Sequence, residues 1–322
     1  MAKLLLTVMI ALLLSAGAAR ADSLEEGKAA YGRGDFGDAI KWFGYAAGAQ
    51  GNADAQYNLG MMYYRGEGVI KNYGEALNWF RLAAQQRNAM AQTMLGLMYG
   101  NGWGVTPDFA ESRRWYRLAA EQGYALAQWH LGGTYDTSIY PNDSNDFEAA
   151  KLYRLAAAQG YVRAQTSLAG MYDSGRGVPQ DYTEAAKWYR LAATQGDANA
   201  QVMVGLRYDR GKGVPQDYVQ AAKWFRLAAE QGEADAQSQL GSMYQSGRGV
   251  AQDYVRAYMW FSLLGASGEP VDGKLDNKLR DIDRNLGRTL RDIVAKMMTP
   301  QQVVEAQKLA RECQQRDFKG CD

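Results

Sequence analysis

The sequence predicts an all-α stack of about seven helix pairs, and three observations carry that prediction. An Ala-Gln pair recurs with its glutamine at Gln56, Gln92, Gln128, Gln165, Gln201 and Gln237, at spacings of 36, 36, 37, 36 and 36; a fixed period of this size marks a stacked array. After each glutamine an apolar-small pair and then a tyrosine follow at constant offsets, as in Leu59-Gly60 with Tyr63, Leu95-Gly96 with Tyr99 and Leu240-Gly241 with Tyr244. At 100° per residue these positions share one helical face. Five copies then run into a Gly-x-Gly-Val loop, at Gly66, Gly102, Gly175, Gly211 and Gly247.

Taken along the chain, residues 1–21 come first. Lys3, an apolar run from Leu4 to Leu14 and the ending Ala19-Arg20-Ala21 read as a secretory signal peptide, too short for a confident membrane span. An uncleaved anchor is the alternative. Leu24 to Gly51 reads as a shortened first helix pair, and six more pairs follow. Within each unit, helix A carries the Ala-Gln, Leu-Gly and Tyr positions, and the small residue lets a neighbouring helix approach closely. Paired glycines end helix A. A polar-aromatic pair such as Asn72-Tyr73, Asp181-Tyr182 or Asp253-Tyr254 opens helix B, its Asp or Asn placed to cap the helix. Helix B carries large apolar pairs, among them Trp79-Phe80, Trp188-Tyr189 and Trp224-Phe225, and usually stops at Gln-Gly, as at Gln195-Gly196.

The joint occurrence of Ala-Gln, Leu-Gly-x-x-Tyr and Gly-x-Gly-Val over roughly Ala29 to Gly268 resembles the Sel1-like repeat (SLR) family, relatives of the tetratricopeptide repeat with a longer glycine-containing loop. The resemblance implies a right-handed α-α superhelical solenoid that acts as an adaptor by binding other proteins. Family members with hydrolase activity on cell-wall-directed antibiotics carry cysteines inside their repeats; this chain has no cysteine before Cys313, so that activity has no residues to rest on here.

The unit anchored at Gln128 departs from the pattern. Its loop from Thr137 to Asp146 lacks the Gly-x-Gly-Val turn. Asp143, Asn145, Asp146 and Glu148 form an oxygen-rich cluster, but the glycine and terminal glutamate of a calcium loop are missing. A solvated loop ending in a helix cap is the preferred reading. From residue 269 to 322 the repeat is gone: Leu275, Leu279, Ile282, Leu286, Leu290, Ile293 and Met297 form one apolar stripe on a long helix. Thr299-Pro300-Gln301-Gln302 predicts a capping box with proline at the first helical position. These two helices are expected to cover the end of a 22–268 solenoid, as arrays need. Cys313 and Cys321, the only cysteines, read as a disulfide pinning the tail; two free thiols or a redox pair are the alternatives.

The formal net charge is +1, and loss of Lys3 and Arg20 with the leader leaves about −1, which disfavours nucleic acid as a partner. The helix-B arginines Arg81, Arg117, Arg154, Arg190 and Arg226 are then expected to pair with local acids. No nucleophile elbow, phosphate loop or zinc spacing is present, so no catalytic residue, metal or cofactor is assigned and the chain is read as a non-enzyme. The sole histidine, His130, sits in a slot that varies between units.

Variable positions are those free to serve recognition. With each anchor glutamine at 0°, the recurring Leu, Gly and Tyr centre the buried face at about 340°, and positions +2, +5 and +9 lie opposite. They supply Asn58, Met61 and Arg65; Met94, Leu97 and Asn101; His130 and Thr137; and Met203, Leu206 and Arg210. In a solenoid lined by A helices this face is a concave groove suited to a partner's peptide or helix. The bland reading is that Met94, Leu97, Met203 and Leu206 pack between helices. Trp103 occupies a loop slot held elsewhere by Glu67, Arg176, Lys212 and Arg248; it serves as an exposed anchor or tucks onto its own repeat. The expected protein is a periplasmic or secreted scaffold holding a protein or peptide. A groove taking a glycan or peptidoglycan fragment is the rival.

Overall fold

The computed structural model describes residues 23–136, 139, 145–264 and 274–321, with side chains placed from residue 281 in the last stretch. The leader, Thr137 and Asp143 lie outside the described residues, as do Gly268 and Pro270. All regular elements among the described residues are helices, and within each of two bodies paired helices pack in succession as in an α solenoid. The chain divides into two bodies, residues 1–159 and 160–322.

The first body holds α1 (residues 23–32), α2 (Phe36–Gly48), α3 (Ala53–Arg65), α4 (Tyr73–Gln85), α5 (Ala89–Asn101), α6 (Phe109–Glu121), α7 (Ala125–Gly133) and α8 (Asp146–Ala158). Its helix boundaries follow from local chemistry. Side-chain oxygens of Asp35, Asn72, Asp108 and Asn145 accept backbone N–H groups at the starts of α2, α4, α6 and α8; each such cap contributes ~1 kcal/mol. Helices α3 and α5 end on Gly66 and Gly102, at φ 78° and 72°, a left-handed conformation that side chains resist.

Close approach explains the glycine of each Leu-Gly pair. A Cβ on Gly60 would lie 2.7 Å from the Phe80 ring, and one on Gly96 2.5 Å from the Tyr116 ring. In this body the second member of each helix-B apolar pair is therefore the buried one: Phe43, Phe80, Tyr116 and Tyr153 are at most 6% exposed, and burial of one such ring stabilises by roughly 2–3 kcal/mol.

The anchor glutamines are buried as well, and their amides are answered in a repeating way. In the first body Gln56, Gln92 and Gln128 donate through Nε2 to the carbonyls of Ala47, Ala84 and Ala120. They accept at Oε1 from Nε2 of Gln86, Gln122 and Gln159, at the end of helix B of the same repeat. A buried amide without partners costs several kcal/mol, so this ladder is what lets a polar residue stand in the core.

The unit anchored at Gln128 folds differently from its neighbours. Helix α7 stops at Gly133 after nine residues, and the Thr134 hydroxyl donates to the Leu131 carbonyl. Asp136 is buried and accepts from the Tyr153 hydroxyl at 3.2 Å. Asn145 caps α8.

The second body holds α9 (Val162–Ser174), α10 (Tyr182–Thr194), α11 (Ala198–Arg210), α12 (Tyr218–Ala229), α13 (Ala234–Ser246), α14 (Tyr254–Leu263), α15 (Lys274–Ala295) and α16 (Pro300–Gln315). The same devices recur: Asp181, Asp217 and Asp253 cap α10, α12 and α14. The glutamine ladder continues from Gln195 to Gln165 and from Gln231 to Gln201. Both α15 and α16 pack on α14. Thr299 and Gln302 form the capping box with Pro300 behind it, and Cys313 and Cys321 are joined in a disulfide.

The stripe on α15 is not wholly its packing face. Ile282, Leu286, Ile293 and Met297 are exposed, whereas Val294 is buried and Leu290 is packed against the core. Gly287 sets that rotation: a Cβ there would lie 2.5 Å from the Phe261 carbonyl and 2.7 Å from Leu264, so α15 seats against α14 along its glycine side.

Candidate partner-binding face

The buried arc of the A helices decides which side chains are left for recognition. In α3 it comprises Ala55, Gln56, Leu59, Gly60 and Met62, and the same offsets are buried in α5 and α13. The arc therefore includes the sixth position after the glutamine and centres at about 310°, not 340°. The tyrosine at the seventh position is only half-buried at Tyr63, Tyr99, Tyr172 and Tyr208.

This rotation sorts the predicted face into two kinds of residue. At the ninth position Arg65, Asn101 and Arg210 are exposed. Positions two and five flank the core: Asn58, Met61, Met94, Leu97, Met203 and Leu206 are all half-buried. Met61 and Met94 pack against the α4–α5 cluster, Leu97 against the α6–α7 cluster, Met203 against that of α10–α11 and Leu206 against that of α12–α14. Each therefore contributes to packing with one side and presents the other outward. The first body brings together Met61, Met94 and Leu97, and the second Met203 and Leu206.

His130 is half-buried, its ring stacked on Tyr116 at 5.0 Å and edge-on to Trp129 at 4.8 Å. Thr137 lies outside the described residues. Trp103 stacks on Tyr73 at 6.0 Å and tilts against Tyr64 at 5.5 Å, so it tucks onto the preceding repeat rather than its own. The same slot places Lys212 over the Tyr182 ring and Arg248 over the Tyr218 ring. It is a clasp between repeats that takes either a cation or an indole.

Three of the helix-B arginines make a bond that the expectation of acid partners did not include. Arg81, Arg117 and Arg226 donate to the hydroxyls of Tyr99, Tyr135 and Tyr244 on the following A helix. The tyrosine ring fills the space beside the helix-B arginine, and its hydroxyl, 18 residues on, is the acceptor within reach.

One residue escaped notice in the sequence. Position six holds Met62, Met98, Met171 and Met243, all fully buried, but in α11 it holds Arg207, 4% exposed. The signal for it in the sequence is that column itself, a charged residue where four sister helices carry methionine. Among the described residues no group of three or more His, Cys, Asp or Glu side chains is placed to hold a metal ion.

Comparison with known proteins places these features in a family. The Sel1 repeat model matches six consecutive segments, residues 53–88, 89–124, 124–161, 162–197, 198–233 and 234–268. A Sel1 repeat protein from Oxalobacter formigenes is 35% identical, with a TM-score of 0.67 over 74% of this chain and 96% of its own. A protective antigen from uropathogenic Escherichia coli strains, displaying an SLR fold, is 31% identical, with a TM-score of 0.52 over 94% of this chain and 70% of its own. No curated protein matches the chain.

Proposed function

The chain belongs to the Sel1 repeat family, and from that premise we propose that it is an exported scaffold holding a partner protein or peptide against the methionine-leucine face of its A helices. Sel1-repeat folds are protein-interaction scaffolds and are generally not enzymes. The observation that carries the reading is the half-burial of Met61, Met94 and Leu97 in one body and of Met203 and Leu206 in the other. Flexible thioether and aliphatic side chains, anchored on one side and open on the other, adapt to an apolar helix or peptide. Exposed Arg65, Asn101 and Arg210 beside them supply polar contacts at the rim. Residues 22–268 form the scaffold and residues 269–322 its end cover.

Export rests on two supports. The apolar leader directs secretion, and the Cys313–Cys321 disulfide favours an oxidising compartment. No helix among the described residues is long and apolar enough to cross a membrane. Periplasm or secretion follows as the proposed location. The glycan rival needs stacked aromatic rings on the same face, and at the +2, +5 and +9 positions only His130 carries a ring.

Affinity capture from the exported fraction tests this reading, using the mature chain beside a Met94→Asp, Leu97→Asp double variant and a Met203→Asp, Leu206→Asp double variant, each checked for helicity by circular dichroism. The expected outcome is one protein retained by the parent and lost, by about tenfold or more, from at least one still-folded variant. Equal capture by all three chains removes the face from consideration.

A further inference from the structure

Arginine in a methionine slot leaves α11 with a charge where its sister helices have a core side chain. The Arg207 guanidinium is 5% exposed, pairs through Nη2 with Asp173 Oδ2 and lies over the Tyr189 ring at 5.3 Å. Its other terminal nitrogen, Nη1, is buried and has no hydrogen-bond partner among the described residues. Leaving such a donor unanswered is costly. Burial, and behind it the charge of Arg210, lower the pKa of this guanidinium, which is the direction expected for a cation withdrawn from water.

A pocket of about 160 Å³ opens beside it, between α10, α11 and the loop that follows. Three cations line it: Arg207, Arg190 and Lys187. The hydroxyl-bearing Thr183 and Tyr208 and the aliphatic wall of Val204 complete the part that matters here. Arg190 is the helix-B arginine that its equivalents Arg81, Arg117 and Arg226 would lead one to find on a tyrosine hydroxyl. Among the described residues it makes no such bond with Tyr208, although both line the pocket. Lys187 is paired with Glu184 at 2.5 Å, and Asp173 answers one side of Arg207, so Arg190 and Nη1 of Arg207 are the donors left over.

We propose that this pocket binds a carboxylate. A guanidinium presents two parallel N–H groups matched to the two carboxylate oxygens, and the Val204 side of the pocket takes the short apolar stem behind the acid. Two sources share that chemistry: a free small organic acid, or the acidic side chain of a partner segment. The second rests on the scaffold reading; the first does not.

The test titrates sodium propionate, inorganic phosphate, and acetyl-Ala-Glu-Ala-amide with its glutamine counterpart into the full mature chain, followed by backbone and arginine side-chain NMR shifts. Arg207→Met restores the residue that α3, α5, α9 and α13 carry in this slot, so it is expected to fold; Arg190→Gln is the second variant. Lys223→Gln, exposed on α12, controls for loss of one positive charge. The expected result is saturable propionate binding centred on Arg207 and Arg190, weakened by about tenfold or more in both pocket variants and unchanged in the control. No saturable propionate binding, equal binding by Arg207→Met, or tighter binding of phosphate than of propionate overturns the proposal. Preference for the glutamate peptide over both its glutamine counterpart and propionate assigns the partner side chain as the source. Binding of propionate without the peptide assigns the free acid, and this holds whatever the capture experiment finds.

Discussion

Glu233 begins α13 without a side-chain cap bond, and its carboxyl is held above the ordinary glutamate pKa by burial first, then by Asp235 and Asp197. These effects outweigh the favourable field of the helix N-terminus. The sign of the linkage follows. The native state holds this proton more tightly than the unfolded chain, so the group's stabilising contribution is present below the ordinary pKa and is lost as pH rises through the folded value. Glu233→Gln is therefore expected to raise Tm at pH 7, on the order of 1 °C, and to change it little near pH 3. Thermal circular dichroism across that range checks it, and a lower Tm at pH 7 would show that the charge stabilises the helix after all. Single residues were unevenly legible in the sequence. Asn72, Asp181 and Thr299 announced themselves as caps because capping is local chemistry. Arg207 did not, because its meaning depends on the depth of a face whose centre lies about 30° from where the tyrosines put it.

Among elements, the A-helix and B-helix boundaries and the loop glycines were readable from period and turn chemistry alone. What joins one repeat to the next was not. The slot of Trp103 and the tyrosine acceptors of Arg81 and Arg226 involve partners 18 to 39 residues apart, and pairing across repeats has no signature inside one. The glutamine ladder is a further case: Gln92 is held by Gln122 of its own repeat and also donates to the Ala84 carbonyl of the repeat before. Gln92→Leu removes the bond to the Ala84 carbonyl and the acceptor of the Gln122 amide. It is expected to cost about 1–3 kcal/mol in urea denaturation, despite the added apolar surface. A neutral or stabilised variant would mean that water answers both groups as well as the glutamine does.

At the scale of the molecule, the array was legible because its period is rigid, and the C-terminal region was legible only as helices and a disulfide. The face on which α15 packs depended on Gly287, whose role appears once the Phe261 carbonyl is beside it. The disulfide closes a short segment, with a sequence separation of 8, and the chain-entropy account gives it about 2–3 kcal/mol. Reduction is expected to speed amide exchange around buried Phe318 and Cys321 by roughly fiftyfold, while the repeats keep their protection. Exchange mass spectrometry before and after reduction reads this directly. Loss of protection throughout the second body would instead make the tail a keystone for all of α9 to α14.

The glutamine ladder has a further consequence for how the chain finds its order while folding. Every joint is the same bond, a glutamine amide on the carbonyl of an alanine in the preceding unit, so each unit offers its neighbour an identical greeting, and the bonds alone do not distinguish the next repeat from the one after it or from that of another molecule. Skipped units and exchanged segments between chains are the characteristic errors of such arrays. Correct order therefore depends on the residues that break the pattern. The short α7, Ala169 where other units have glycine, and Arg207 facing Asp173 act as place markers in an otherwise repeating text.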